Sequence, residues 1–164
     1  MDGLIAGQVP RLRRYARALT GDRTRADDLV QDTLERAWNK LHLWRRGSDI
    51  RAWMFSIMHN VFVNQIRQNQ VAMVALDDDV PEVPVRATQT DGLEMRDLAA
   101  AIARLPVEYR EVILLVGLEQ MGYEEAARVL GVPLGTVMSR LSRGRERLRA
   151  LMAGATAPAL RRVK

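Results

Sequence analysis

Between Ala26 and Leu41 the positions Ala26, Leu29, Val30, Thr33, Leu34, Ala37, Trp38 and Leu41 recur at the i, i+3, i+4, i+7 interval, which lays one stripe along four turns of an α-helix. Such a stripe needs partners, and the chain supplies more of the same period. Asp49 stands where a cap belongs, and Ile50, Trp53, Met54, Ile57, Met58, Val61, Phe62 and Ile66 trace another helical stripe behind it. Upstream, Pro10 suits a first helical turn, and Leu12, Tyr15, Ala16 and Leu19 follow before Gly21 ends the run. Three helices close a small core.

A second helical block follows. Asp91 and Glu94 have capping-box spacing ahead of a helix over 93–105, and Pro106 restarts the chain for a helix over 107–119 with Val112, Ile113, Leu115 and Val116 inward. Gly122 breaks that helix, and Gly131 sits where a glycine follows a helix end. Pro133 then opens a last helix with Leu134, Val137, Leu141, Leu148 and Leu151 on its buried side. No strand pattern competes, so the expected fold is all-α, two small helical domains joined by a connector.

Charge marks the same division. Residues 1–70 carry a net +5, residues 71–92 a net −4 with Pro81 and Pro84, and residues 93–164 a net +4. The expected boundaries are a first domain over 1–70, an acidic flexible linker over 71–92, a second domain over 93–153 and a tail over 154–164. Two readings of the linker stand: a tether, or a negative segment that mimics nucleic acid against a basic face or a partner's channel. The tail ends ArgArgValLys and either adds non-specific attraction for DNA or is disordered.

Several functions drop out. The chain has no cysteine, and its two histidines, His42 and His59, stand apart, so no metal site is expected. It lacks a paired acid and base, a nucleophile triad and a glycine-rich phosphate loop, so neither catalysis nor a cofactor is expected. With no leader pattern and no run of about 18 apolar residues, the expected location is cytoplasmic, without membrane insertion and nucleoid-associated when active. The basicity is almost all arginine, with only Lys40 and Lys164 as lysines, and arginine's planar fork suits phosphates and guanine edges.

The stretch GYEEAARVLGVPLGTVMSRLSRGRERLRALM combines a two-turn helix, a turn holding Gly131 and a long basic helix, which is helix-turn-helix spacing. The small polar lead-in Thr136 and Ser139, with Arg140, Arg143 and Arg147 at i, i+3, i+7, favours DNA reading over a merely solvated arginine face.

With LRRYARALTGDRTRADDLVQDTLERAW and DIRAWMFSIMHNVFVNQIR in the first block and YEEAARVLGVPLGTVMSRLSRGRERLR in the second, the chain resembles the extracytoplasmic-function sigma factors of bacterial RNA polymerase. The resemblance implies region 2 followed by region 4, core polymerase and promoter DNA as partners, and control by an anti-sigma factor. It implies polymerase docking through Asp28, Gln31, Asp32 and Glu35. Asp28 and Asp32 are a like-charge i, i+4 pair that costs helix stability until a basic surface meets it. It implies reading of the melted −10 strand by Arg46, Ser48, Asn60, Asn64 and Arg67. Trp53 matches an aromatic that helps wedge the duplex open in related sigma factors, but its helical spacing with Ile50 and Ile57 favours a core residue, so it is a candidate only. It implies reading of the −35 duplex by Thr136, Ser139, Arg140, Arg143 and Arg147. Met138 and Gly144 depart from the family pattern, where a basic residue and an alanine are usual. A stand-alone helix-turn-helix regulator and an RNA-binding protein without base readout are the alternatives.

Overall fold

The computed structural model describes residues 2–76 and 93–156, and among them every regular element is helical. Helix α1 spans Asp2–Thr20 and passes through Pro10, so the start expected at Pro10 lies about two turns upstream. An interior proline costs a helix roughly 3 kcal/mol. Ile5, buried in the core, anchors the extra turns and offsets that cost. Gly21 reverses the chain in the left-handed region at φ +68°. Asp22 then caps α2 (Arg23–Asn39) by accepting a hydrogen bond from the Thr24 N–H at 3.1 Å.

Helix α2 buries Ala26, Leu29, Val30, Thr33 and Ala37, but Trp38, expected in the same stripe, is 55% exposed. At about 100° per residue, Trp38 lies at the edge of the stripe, beyond the buried Ala37. A 3₁₀ turn (Leu41–Leu43) and a loop through Gly47, at φ +92°, lead to α3 (Ile50–Leu76). Asp49 caps α3 as expected, accepting from the Arg51 N–H at 2.9 Å. Helix α3 is apolar on more than one side, since Phe55 is buried beside the expected Met54, Ile57, Met58, Val61 and Phe62 and meets Tyr15 edge-to-face at 5.1 Å. It continues through 71–76, which the charge pattern assigned to the connector. Residues 77–92, with Pro81, Pro84 and all five acids of the connector, Asp91 among them, lie outside the described residues, as does the tail beyond 156.

The second block holds α4 (Leu93–Arg104), α5 (Val107–Ile113), α6 (Tyr123–Leu130) and α7 (Leu134–Thr156). The single helix expected over 107–119 is broken: after α5 the backbone widens into a π-helix, Leu114–Leu118, whose Glu119 N–H reaches the Leu114 carbonyl at 3.0 Å. Leu114 turns inward with Val112 and Leu115, while Ile113 and Val116 sit only at the core's edge. The wider turn also delivers Glu119 into the interior, 3% exposed. Gly131, at φ +67°, ends α6 as expected, whereas Leu134 stands 40% exposed on the first turn of α7.

The two blocks pack together. Helix α6 lies along α3, and α4 and the π-helix lie against α1, so one continuous apolar core runs through both halves. Arg110 fastens the seam. Its guanidinium donates to the Ile102, Ala103 and Leu105 carbonyls at the end of α4 (3.1, 2.8 and 2.8 Å) and to the Leu19 carbonyl at the end of α1 (2.7 Å). Helix-end carbonyls run short of intrahelical partners, and this one side chain donates to four carbonyls at and just past two such ends. Arg110→Met is therefore expected to destabilise the protein by about 2–4 kcal/mol, read as a fall in the urea midpoint at unchanged slope.

Candidate polymerase and promoter interface

Opposite the buried side of α2 stand Asp28, Gln31, Asp32 and Glu35, all exposed. No cation among the described residues lies within ion-pair distance of the three acids. Only Asp32 is held, its Oδ2 accepting from the Gln65 Nε2 of α3 at 2.9 Å. The face is thus a negative stripe, with the exposed indole of Trp38 at its border.

Asn60, Asn64 and Arg67 are exposed on successive turns of α3. At the other end of that helix, the Ser48 hydroxyl donates to the Arg45 carbonyl at 2.6 Å, fixing a tight loop from which Arg46 projects exposed. Trp53 is half-buried against the core and does not share the exposure of the other five residues. The loop's last residue is electrostatically tied. Burial acts to raise the Asp49 carboxyl, but a hydrogen bond with Glu125, the Arg51 and Ala52 N–H groups and the Arg51 charge outweigh it and hold the pKa below the ordinary carboxylate value. Glu125, on α6, is pushed up by burial and by its hydrogen bond with Asp49, against the pull of Arg51.

Helix α7 presents Ser139, Arg143 and Arg147 to solvent, with Thr136 and Arg140 half-buried. The Arg147 guanidinium lies 5.3 Å from the centre of the Tyr109 ring, a cation–π contact that holds it against α5 beside an open cleft of about 520 Å³ lined by Tyr109, Arg143, Glu146, Arg147 and Ala150. Sequence spacing missed the opposite flank. Arg145 and Arg149 line a second groove there with Tyr123, Met138, Leu141 and Ser142. Counting arginines at i, i+3, i+7 picked out one flank of α7, although Arg143, Arg145, Arg147 and Arg149 alternate along the chain.

Gly144 explains its own departure from alanine. A Cβ there would lie 2.9 Å from Ile113 Cδ1 and 3.1 Å from Tyr109 Cβ, so α7 sits on α5 at glycine distance. Among the described residues, no cluster of three or more His, Cys, Asp or Glu could hold a metal ion, and no helix is long and apolar enough to cross a membrane.

Known proteins match both halves. The family described as "Sigma2 domain of PhyR" matches residues 5–59 and "Sigma-70, region 4" matches residues 95–148. The ECF RNA polymerase sigma factor EcfG of Rhodopseudomonas palustris is 38% identical, over 90% of this chain and 82% of its own. Among solved structures, the sigma factor RpoE of Bartonella quintana in complex with the anti-sigma factor NepR is 36% identical with a TM-score of 0.79, over 88% of this chain and 91% of its own. CnrH in complex with the cytosolic domain of CnrY is 30% identical with a TM-score of 0.67, over 93% and 87%.

Two substitutions test the local geometry. Gly144→Val should overpack the α5–α7 contact and cost about 1–3 kcal/mol, seen as a lower melting temperature. Asp49→Ala should cost about 1 kcal/mol through the lost cap. Since the fold lowers the Asp49 pKa, the wild-type advantage should be present above the ordinary carboxylate value and be lost as pH falls through the lowered one. Paired melting curves from neutral to acidic pH check that convergence.

Proposed function

The chain belongs to the extracytoplasmic-function sigma factors of RNA polymerase, and from that premise we propose how its surfaces divide the work of initiating transcription. The stripe Asp28, Gln31, Asp32 and Glu35 docks on a basic surface of core polymerase. Arg46, Ser48, Asn60, Asn64 and Arg67 hold the melted −10 strand: asparagine amides pair with the edges of unstacked bases, and arginine tracks phosphates. Trp53 supports that helix from beneath, its indole edge available to the duplex fork. Thr136, Ser139, Arg140, Arg143 and Arg147 enter the major groove at the −35 element, with base contacts at the start of α7 and phosphate contacts further along.

The observation that carries this division is that the three sets occupy separate surfaces, on α2, on α3 with the loop before it, and on α7, with Trp53, Thr136 and Arg140 half-buried and the rest exposed. The protein performs no chemistry of its own in this reading, and it acts in the cytoplasm, where polymerase and promoters are. An anti-sigma factor is proposed as a further partner, on the strength of the relative solved with NepR. Two weak DNA-reading modules gain affinity through effective concentration once polymerase fixes their separation. Free protein should therefore bind promoters poorly.

The deciding experiment is run-off transcription from a genomic fragment library with bacterial core polymerase, with and without the protein. Discrete new transcripts sharing two spaced upstream elements are expected. The Asp28→Ala/Gln31→Ala/Asp32→Ala variant should weaken polymerase binding at least tenfold while keeping its helical circular dichroism. Unchanged promoter activity in that variant would favour a stand-alone regulator.

A further inference from the structure

Helix α7 carries a second stripe. Met138, Ser142, Arg145 and Arg149 recur at i, i+4, i+7, i+11, which is one flank of the helix, and all four are exposed. With Tyr123, the first residue of α6, they line a groove of about 230 Å³, and none of its lining residues is acidic. The cleft on the other flank differs, since it holds Glu146 and its Arg147 is already engaged by the Tyr109 ring. An apolar side chain at the head of the groove with two guanidiniums behind it suits a partner that is apolar at one point and anionic along the rest.

Met138 is the residue that needs a reason. Its side chain is 52% exposed in the second turn of α7, while the nearby Val137 and Leu141 take the core positions, so packing does not call for an apolar residue here. An α-helix with its side chains is about 10–12 Å across and the major groove about 12 Å wide. A helix that fills the groove meets it on both flanks. With Ser139 facing the floor, Met138 stands about 100° round the helix, against base edges on one side. A thioether has no proton to donate, so the N7 and O6 acceptors of a purine gain nothing from it. The apolar group of the major groove is the C5-methyl of thymine, and a flexible, polarisable methionine can pack round it. Arg145 and Arg149 follow about two and three turns further on, where phosphates answer their charge. The flank is continuous with the exposed Ser139 and Arg143, so a duplex satisfies both features at once.

Resting on the sigma-factor reading above, we propose that Met138 specifies a base of the −35 element by packing on the C5-methyl of one thymine, and that Arg145 and Arg149 hold the adjoining phosphates. Methionine in place of a basic residue then exchanges a hydrogen-bonding contact for a methyl contact and changes which base is preferred. The two arginines fix the helix in place and carry no sequence information.

The test replaces thymine by uracil, which removes the methyl and keeps the base pair. Holoenzyme made with the full chain transcribes a promoter recovered by the run-off screen, with each −35 thymine on either strand exchanged in turn. One exchange should lower wild-type transcript about fourfold, the worth of burying one methyl group. Met138→Ala should give equal transcript from the thymine and uracil templates, with unchanged helical circular dichroism because the side chain lies outside the core. Arg145→Ala should weaken binding on every template alike, with a flatter salt dependence, and keep the uracil effect. No thymine sensitive to exchange, or a sensitivity that survives in Met138→Ala, would overturn the methyl contact. A wild type blind to uracil whose Met138→Ala variant loses core-polymerase binding would give the flank to a protein partner instead.

A second arm works without polymerase. The full chain at low salt selects duplexes from a random library, and the selected sites are remade with uracil. Binding that depends there on both the methyl and Met138, with no transcript from any promoter, would overturn the initiation-factor reading and leave the methyl contact standing. Selected sites indifferent to uracil would overturn the methyl contact alone, and no selection and no transcript would overturn both.

Discussion

The arrangement of the molecule depends on one buried guanidinium. Arg110 lies where the ends of α1 and α4 converge and donates to carbonyls of both. Burial lowers its pKa against the opposing pull of Glu111, yet a guanidinium starts so basic that it stays charged. With those helix ends satisfied by one side chain, α4 can finish against α1 rather than in water. That contact brings α5 and the π-helix over the first block, and α6 then lies along α3. A neutral residue at this position would leave several buried carbonyls without donors, and the cheapest remedy would be to let water into the seam.

The arginines consequently split into two populations. Those on the outer surfaces of α3 and α7, such as Arg67, Arg143 and Arg145, face solvent and carry the positive field that attracts nucleic acid. Those at the seam, Arg51 and Arg110 above all, are spent on internal carboxylates and carbonyls. Net charge alone cannot distinguish the two. The local +5 of the first half overstates what it offers to DNA, because Arg14 and Arg51 are paired with Glu119 and Glu125 across the interface.

Most of the helices, and the outward placement of most candidate residues, were legible in the sequence, because both rest on local period and capping. Asp49 as a cap, Gly131 as a helix end and the outward faces of α2 and α7 follow from spacing alone. What escaped was set by contacts between halves. Pro10 inside a helix makes sense only once Ile5 has a core to enter. The π-helix at Leu114–Leu118 is invisible to a 3.6-residue period, and it is what turns Glu119 inward. His59 faces Glu111 of the second half, and Phe55 meets Tyr15 from a second apolar side of α3, so a single stripe omits both. Trp38 failed for the opposite reason: its position falls at the margin of the stripe, where period alone does not decide burial.

A closed seam built from ion pairs rather than apolar contact alone also bounds how firmly it can close. Partly exposed pairs such as Arg14 with Glu119 each contribute at most about 1 kcal/mol, and opening returns their charges to water, recovering much of the desolvation cost. The apolar part of the seam, continuous with the core of both halves, resists opening more strongly. A ligand shifts such an equilibrium only by its differential affinity for the open form.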